Sequence, residues 1–320
     1  MAAANYFLEL SESQQRQYID AEAVFLAWVQ ARKAAAEVRG SMIWRDLRGT
    51  RTLIRTSAYG GQKSIGPHSD ETQELFDSFM ARKTRLEERV KALKAQLVVQ
   101  QRLNRAHRVG RVPNIVIGVI NALENAGVQE HFMVVGPHAL YAFEMAAGVR
   151  IAEQAMATRD VDMLFDTRKR VSFCTAMKRL DSSLIGLLRK ADPSFEVVAD
   201  QHYTARNNDG FEVDIIRRNA GAVDPHPMRM SDDEDDFWAV QVSMGEKLQS
   251  ARRFDQVVVA TSGEMALMRT VHPLDFARIK QALAQQEFRE AGKRGKDALQ
   301  AKIVTGLVAH YLPQLAAPAA

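Results

Sequence analysis

Cysteine is almost missing from this chain: Cys174 is the only one among 320 residues. A single thiol closes no internal disulfide and builds no thiolate-rich metal site, so a disulfide scaffold and a cysteine-based zinc module are both excluded. Cys174 reads as a small buried or half-buried side chain, and the count fits a reducing compartment. Long apolar runs are also lacking, since none approaches the ~20 residues that a membrane-spanning helix requires. The opening MAAANYFLELSESQQ has no basic segment leading into an apolar one, so no secretory signal is read there and a cytoplasmic location without a membrane partner is expected. Internal repeats and long low-complexity tracts are absent, apart from a short Ala/Pro tail.

What is present is ordinary in amount and uneven in distribution. Hydrophobic residues make up 46% and charged residues 26%, a globular balance, and the length suits one large domain or two to three small ones. The net charge is only +4, yet the stretch from Arg32 to Arg111 holds 18 Lys/Arg against 8 Asp/Glu. That local excess of ten leaves the remainder acidic by about six. A basic segment of this kind suits a polyanion, or else a solvated helix face.

Read along its length, the chain predicts a helix over 11–39 ended by Gly40, with Tyr18, Val24, Phe25, Trp28 and Val29 near helical period. Short β-favouring runs divided by glycine turns then predict a three-stranded meander at about 41–66. A long helix follows to about Arg108, and a shorter one over 113–126. From Phe132 the texture becomes α/β. Strands are expected at 132–135, 161–165 and 195–199, helices at 139–147 and 172–190, and a hairpin at 201–206 and 211–217 around Asp209-Gly210. Beyond Ala220 come an irregular segment with the acidic run Asp232–Asp236, read as a solvated loop, two short strands and a helical end from Pro273 to about Tyr311. The expected organisation is α+β: a basic region 1–112 carrying the meander, a core at 113–220 and a C-terminal region at 221–320.

Chemistry concentrates in the core. In Thr158-Arg159-Asp160-Val161-Asp162-Met163-Leu164-Phe165, alternation on a strand points Asp160 and Asp162 to one face and Val161, Met163 and Phe165 to the other. Adjacent carboxylates repel unless a cation lies between them, and hard oxygen ligands suit Mg²⁺ or Mn²⁺. The hairpin strand repeats the arrangement, with Phe211, Val213 and Ile215 apolar on one face and Glu212 and Asp214 on the other. A third acid from it would complete the set that two-metal phosphoryl chemistry uses. Upstream, Val134-Val135-Gly136-Pro137-His138-Ala139-Leu140 runs from strand to helix through a glycine, which lets backbone approach an anion at a helix N-terminus.

The order of glycine turn, helix, D-x-D strand, helix and acidic hairpin strand resembles the polymerase-β-type nucleotidyltransferase superfamily. Val135 to Glu144, Ala147-Gly148-Val149 and Thr158 to Asp162 are similar to a bacterial family of nucleotidyltransferase-fold proteins, and the likeness extends to the meander and the C-terminal helices. The resemblance implies a mixed-sheet core and a metal-dependent transferase that moves a nucleoside monophosphate from an NTP to an acceptor hydroxyl of RNA, tRNA or protein. It implies Asp160, Asp162 and Asp214 as catalytic metal ligands, with Glu212 as the rival third acid. Gly136, Pro137, His138, Thr158 and Lys280 become candidates for nucleotide contact. Two departures are visible. Pro137 stands where the superfamily prefers Gly or Ser, and 21 residues separate His138 from Asp160, a longer spacing than is common. They leave open a fold that binds nucleic acid or a partner without turnover; a toxin of a toxin–antitoxin pair is a third reading.

The meander has its own chemistry. Trp44 and Tyr59 alternate with Arg45, Arg48, Arg51, Arg55 and Lys63, a mixture suited to phosphate contact and base stacking. The same residues also suit a packed sheet whose arginines reach out to water.

Overall fold

The structure, a computed structural model, describes residues 6–57, 60–156, 158–222 and 224–316; Tyr59 and the tail from 317 lie outside them. The chain forms two compact units, one of Arg16–Ala106 and one joining Met1–Gln15 to His107–Ala320. Residues 113–220 and 221–320 thus fall together in the larger unit.

Strand β1 (Phe7–Glu9) leads into helix α1 (Glu12–Glu37). Ser11 and Gln14 cap its start reciprocally, each accepting from the other's backbone N–H at 3.3 and 3.0 Å. Then β2 (Ser41–Leu47), β3 (Thr50–Thr56) and β4 (Gln62–Pro67) form the antiparallel meander, and α2 (Asp70–His107) follows. Gly40 cannot be replaced cheaply: its φ is +87°, and a Cβ would meet the Thr56 carbonyl oxygen at 2.0 Å. Along α2, Phe76, Phe79, Lys83, Leu86, Val90, Leu93, Leu97 and Gln100 are half-buried and recur three and four apart, a seam rather than a broad face. Gln17 on α1 donates to Gln100 and Asn104 on α2, while Glu37 accepts from Arg82, so the two helices run antiparallel.

The larger unit begins its regular structure with α3 (Asn114–Ala126), β5 (Phe132–Val135), α4 (Leu140–Ala147), β6 (Val149–Ile151), α5 (Glu153–Met156) and β7 (Asp160–Phe165). Next come α6 (Arg170–Leu180), α7 (Leu184–Leu188), β8 (Glu196–Val198), β9 (Gln201–Arg206), β10 (Glu212–Arg217), β11 (Met228–Arg229) and β12 (Trp238–Gln241). The chain ends with α8 (Gly245–Ser250), β13 (Arg253–Val259), β14 (Met265–Val271), α9 (Pro273–Ala284) and α10 (Ala291–Tyr311). Seven strands make a mixed sheet with β7 inside it, antiparallel to β5 and parallel to β10, while β9 and β12 share the far edge of β10. This is the expected α+β class.

Three local expectations are corrected. The helix over 172–190 is two helices, because Asp181 takes a left-handed φ of 47° and Ser183 caps a new start. The helical end from Pro273 to Tyr311 is also two helices, divided between Ala284 and Ala291. The acidic run is not wholly solvated, since Asp236 is 1% exposed and accepts from Leu184 and Ile185 N–H at 2.9 and 2.8 Å. It anchors the start of α7, while residues 232–235 remain exposed.

Candidate metal centre

Strand alternation accounts for the acid face. Val161, Met163, Val213 and Ile215 are buried, and the acids between them point the other way, each half-buried. Parallel pairing of β7 with β10 sets Glu212 beside Asp160 and Asp214 beside Asp162. One carboxylate oxygen from each of Asp160, Asp162 and Asp214 lies within 4.8 Å of the others. Glu212 belongs elsewhere: its carboxylate accepts from Arg206 Nε at 2.7 Å, across the hairpin. Thr204, which strand alternation alone does not single out, donates to Asp214 Oδ1 at 2.6 Å. Its place is legible from the turn, because counting back from Asp209-Gly210 sets Thr204 opposite Asp214.

The electrostatics are those of acids without enough counter-charge. Burial first, and then Asp160 and Asp214, push the Asp162 carboxyl up to about 7; Lys280 and Arg289 act the other way. Burial raises Asp214 as well, against the hydrogen bond from Thr204, with Asp160 and Glu212 adding to the rise. Among the described residues, none of the three acids forms a salt bridge with a basic side chain. Three hard oxygen donors, crowded and uncompensated, fit a divalent cation such as Mg²⁺, whose binding would release the proton that burial retains on Asp162.

The glycine turn abuts this face. Val135 pairs with Asp162, and Gly136 follows at φ +67°. A Cβ on Gly136 would stand 2.2 Å from Asp162 Oδ2, so glycine is required by space as well as by backbone conformation. Gly136 to Ala139 form a short 3₁₀ turn into α4, with Pro137 in its first positions. His138 is 2% exposed, its ring lies 5.8 Å from Tyr141 and 6.0 Å from Phe211, and its buried Nδ1 has no hydrogen-bond partner. Burial lowers it to about 4, so the ring is neutral. Thr158 donates to Asp160 Oδ1. Lys280 is not a solvated helix lysine: its Nζ is 2.8 Å from Asp297 and its side chain is 12% exposed.

The basic meander residues lie in the other unit and divide into two groups. Arg45, Arg48, Arg51 and Lys63 are exposed, with Arg51 stacked over Trp44 at 5.2 Å. Arg55 is engaged by its own surroundings, donating to the carbonyls of Ser41, Thr56 and Arg39 and covering the Phe79 ring. A cavity of about 910 Å³, lined by Arg170, Cys174, Lys178 and residues of the 225–233 segment, includes none of the three acids in its walls.

A mixed sheet whose inner strand carries D-x-D, beside a parallel strand with a third acid and a glycine turn at the end of the antiparallel neighbour, is the arrangement of a nucleotidyl-transferring enzyme. A family model described as nucleotidyltransferase matches residues 114–320. The chain belongs to that family and is a transferase. Residues 1–113 lie outside the match, and no curated protein and no solved structure matches the chain.

Proposed function

We propose that the chain transfers a nucleoside monophosphate from an NTP to a hydroxyl group of RNA, releasing pyrophosphate. The observation that carries this reading is the convergence of Asp160, Asp162 and Asp214 on one face within 4.8 Å. Asp160 and Asp162 would hold a divalent ion against the triphosphate, and Asp214, braced by Thr204, would complete its ligands on the acceptor side. When bound, that ion supplies positive charge to the phosphate oxygens and lowers the pKa of a coordinated hydroxyl. The acceptor oxygen forms a bond to the α-phosphorus, the bond from that phosphorus to the oxygen bridging it to the β-phosphorus breaks with that oxygen leaving on pyrophosphate, and the hydroxyl proton passes to solvent water.

The chain's own groups do the positioning. The backbone N–H groups of Gly136 and His138 would face the phosphates; Pro137 between them has none to donate and would shape the turn, with the His138 ring remaining buried. Thr158 fixes Asp160, and Lys280 would meet the phosphate tail. RNA is favoured as acceptor by the exposed Arg45, Arg48, Arg51 and Lys63, which would supply phosphate contacts. The experiment is incubation with each labelled NTP, Mg²⁺ and either total RNA or total protein, with pyrophosphate release as the readout. Label on RNA supports the reading. Label on protein moves the acceptor, and no pyrophosphate with any combination leaves a nucleotidyltransferase fold that binds without turnover.

A further inference from the structure

The acid face of the sheet continues past Asp214. Strands β9 and β12 both flank β10, and register carries the same face onto each. Thr204 stands opposite Asp214, so His202, which alternates with Thr204 along β9, points the same way. Val240 stands beside Ile216, which alternates with Asp214, so Trp238 on β12 shares that face as well. Arg229 on β11 pairs with Trp238 and brings a cation to it. The other face of these strands carries Ala205, Val213, Met228 and Ala239, all buried. On the acid side, His202 and Trp238 are only half-buried and Arg229 is exposed.

His202 and Trp238 meet where their strands share the edge of β10. The rings are stacked, with centroids 4.4 Å apart and planes 14° from parallel, and the Arg229 guanidinium lies 5.8 Å from the Trp238 centroid. Internal packing does not account for the pair. His202 Nδ1 and Trp238 Nε1 are both buried without a hydrogen-bond partner, a cost that two aliphatic side chains at the same edge would not carry. Asp232, which lines the same cavity as Arg229, pairs with Lys178, and among the described residues Arg229 joins no ion pair. Flat ring surface beside an unneutralised cation is what a nucleobase and its phosphate require.

Strand order says which base. Across the sheet come the Gly136 turn at the end of β5, then Asp160 and Asp162 on β7, Asp214 on β10, and finally the ring pair and Arg229. The rings therefore lie across the acids from the turn that would face the triphosphate, one strand spacing (~4.8 Å) beyond β10. We propose that the stacked His202–Trp238 pair is the platform for the 3′-terminal base of the RNA acceptor, with Arg229 at its phosphate, so that the terminal hydroxyl is held at Asp214. This rests on reading the acid face as a transfer site with RNA as the acceptor.

The test uses the whole chain with Mg²⁺ and no NTP, so that binding is read without turnover. Fluorescence anisotropy would compare two oligoribonucleotides of one sequence, one intact and one lacking only the 3′-terminal base. Their phosphates are the same, so backbone contacts, those of the meander included, cancel in the ratio of affinities. Wild type should bind the intact RNA about tenfold more tightly, the scale of one stacked base. Trp238→Leu and His202→Ala should each bring that ratio to within about twofold of one, and Trp238→Phe should keep most of it. Arg229→Gln should weaken both RNAs by the same factor. A wild-type ratio near one overturns the platform. So do ring variants that lower the melting temperature and leave the ratio unmoved, because the stack is then merely structural. Should Trp238→Leu fail to fold, His202→Ala decides. NTP affinity without RNA should stay within about twofold in the ring variants; a larger loss would put the incoming base on the rings and overturn the acceptor assignment. Wild type that binds neither RNA would remove RNA as the acceptor, an outcome distinct from RNA bound without preference for its terminal base.

Discussion

Asp162 is the residue on which the most physical effects converge. Its carboxyl is crowded by Asp160 and Asp214, pressed by the Gly136 backbone and raised to about 7. Asp162→Asn should therefore leave the metal-free fold at least as stable as wild type, because it removes repulsion, and should abolish pyrophosphate release. Displacing an outer-shell partner of a metal ligand costs ~10–100-fold, so loss of the ligand should exceed that range, while Thr204→Val should fall within it. For the third acid, Asp214→Asn should cost far more activity than Glu212→Gln, whose carboxylate is spent on Arg206. The reverse ranking in steady-state pyrophosphate assays would assign the wrong neighbour. Strand alternation made both faces of β7 and β10 legible in the sequence. It could not choose between Asp214 and Glu212, because the choice depends on the Arg206 partner and on parallel register, which is a long-range pairing.

At the scale of elements, the sequence marked most starts and stops where the chemistry is local. Gly40 and Asp209-Gly210 each do in the structure what their residue types demand. The break at Asp181 was not legible, because an aspartate in the left-handed region is stabilised by what surrounds it. The anchor for the new helix comes from Asp236, about fifty residues away in sequence. Removing that side chain orphans two buried N–H groups at the start of α7. Asp236→Ala should lower unfolding free energy by about 2–4 kcal/mol in urea titrations, from the loss of a cap together with buried donors left unsatisfied. Activity per folded molecule should be unchanged. A loss below about 0.5 kcal/mol, the range of ordinary surface substitutions, would mean that the run is a solvated loop after all.

For the whole molecule, charge asymmetry takes on a structural meaning: the basic excess lies largely in the unit Arg16–Ala106, and the acid face lies in the other. If the meander holds RNA, its cations displace condensed counterions, and binding weakens steeply with salt. Arg45, Arg48 and Arg51 are the residues to change, because Arg55 is occupied by the carbonyls of Ser41 and Thr56 in its sheet and of Arg39 just before it. Their replacement by Gln should flatten the salt slope by about one unit for each phosphate no longer neutralised, with Mn²⁺ binding unaltered. An unaltered slope in filter-binding assays with bulk tRNA would mean that this unit does not hold nucleic acid.

The central claim is that Asp160, Asp162 and Asp214 hold a divalent ion, and thermal unfolding with added Mn²⁺ tests it most directly. A ligand bound only by the native state at one hundred times its dissociation constant adds about 2.7 kcal/mol of stability. The wild-type melting temperature should rise with Mn²⁺ until the site is full, and the Asp160→Ala/Asp162→Ala double variant should show no rise. Equal shifts in the two proteins would contradict the assignment.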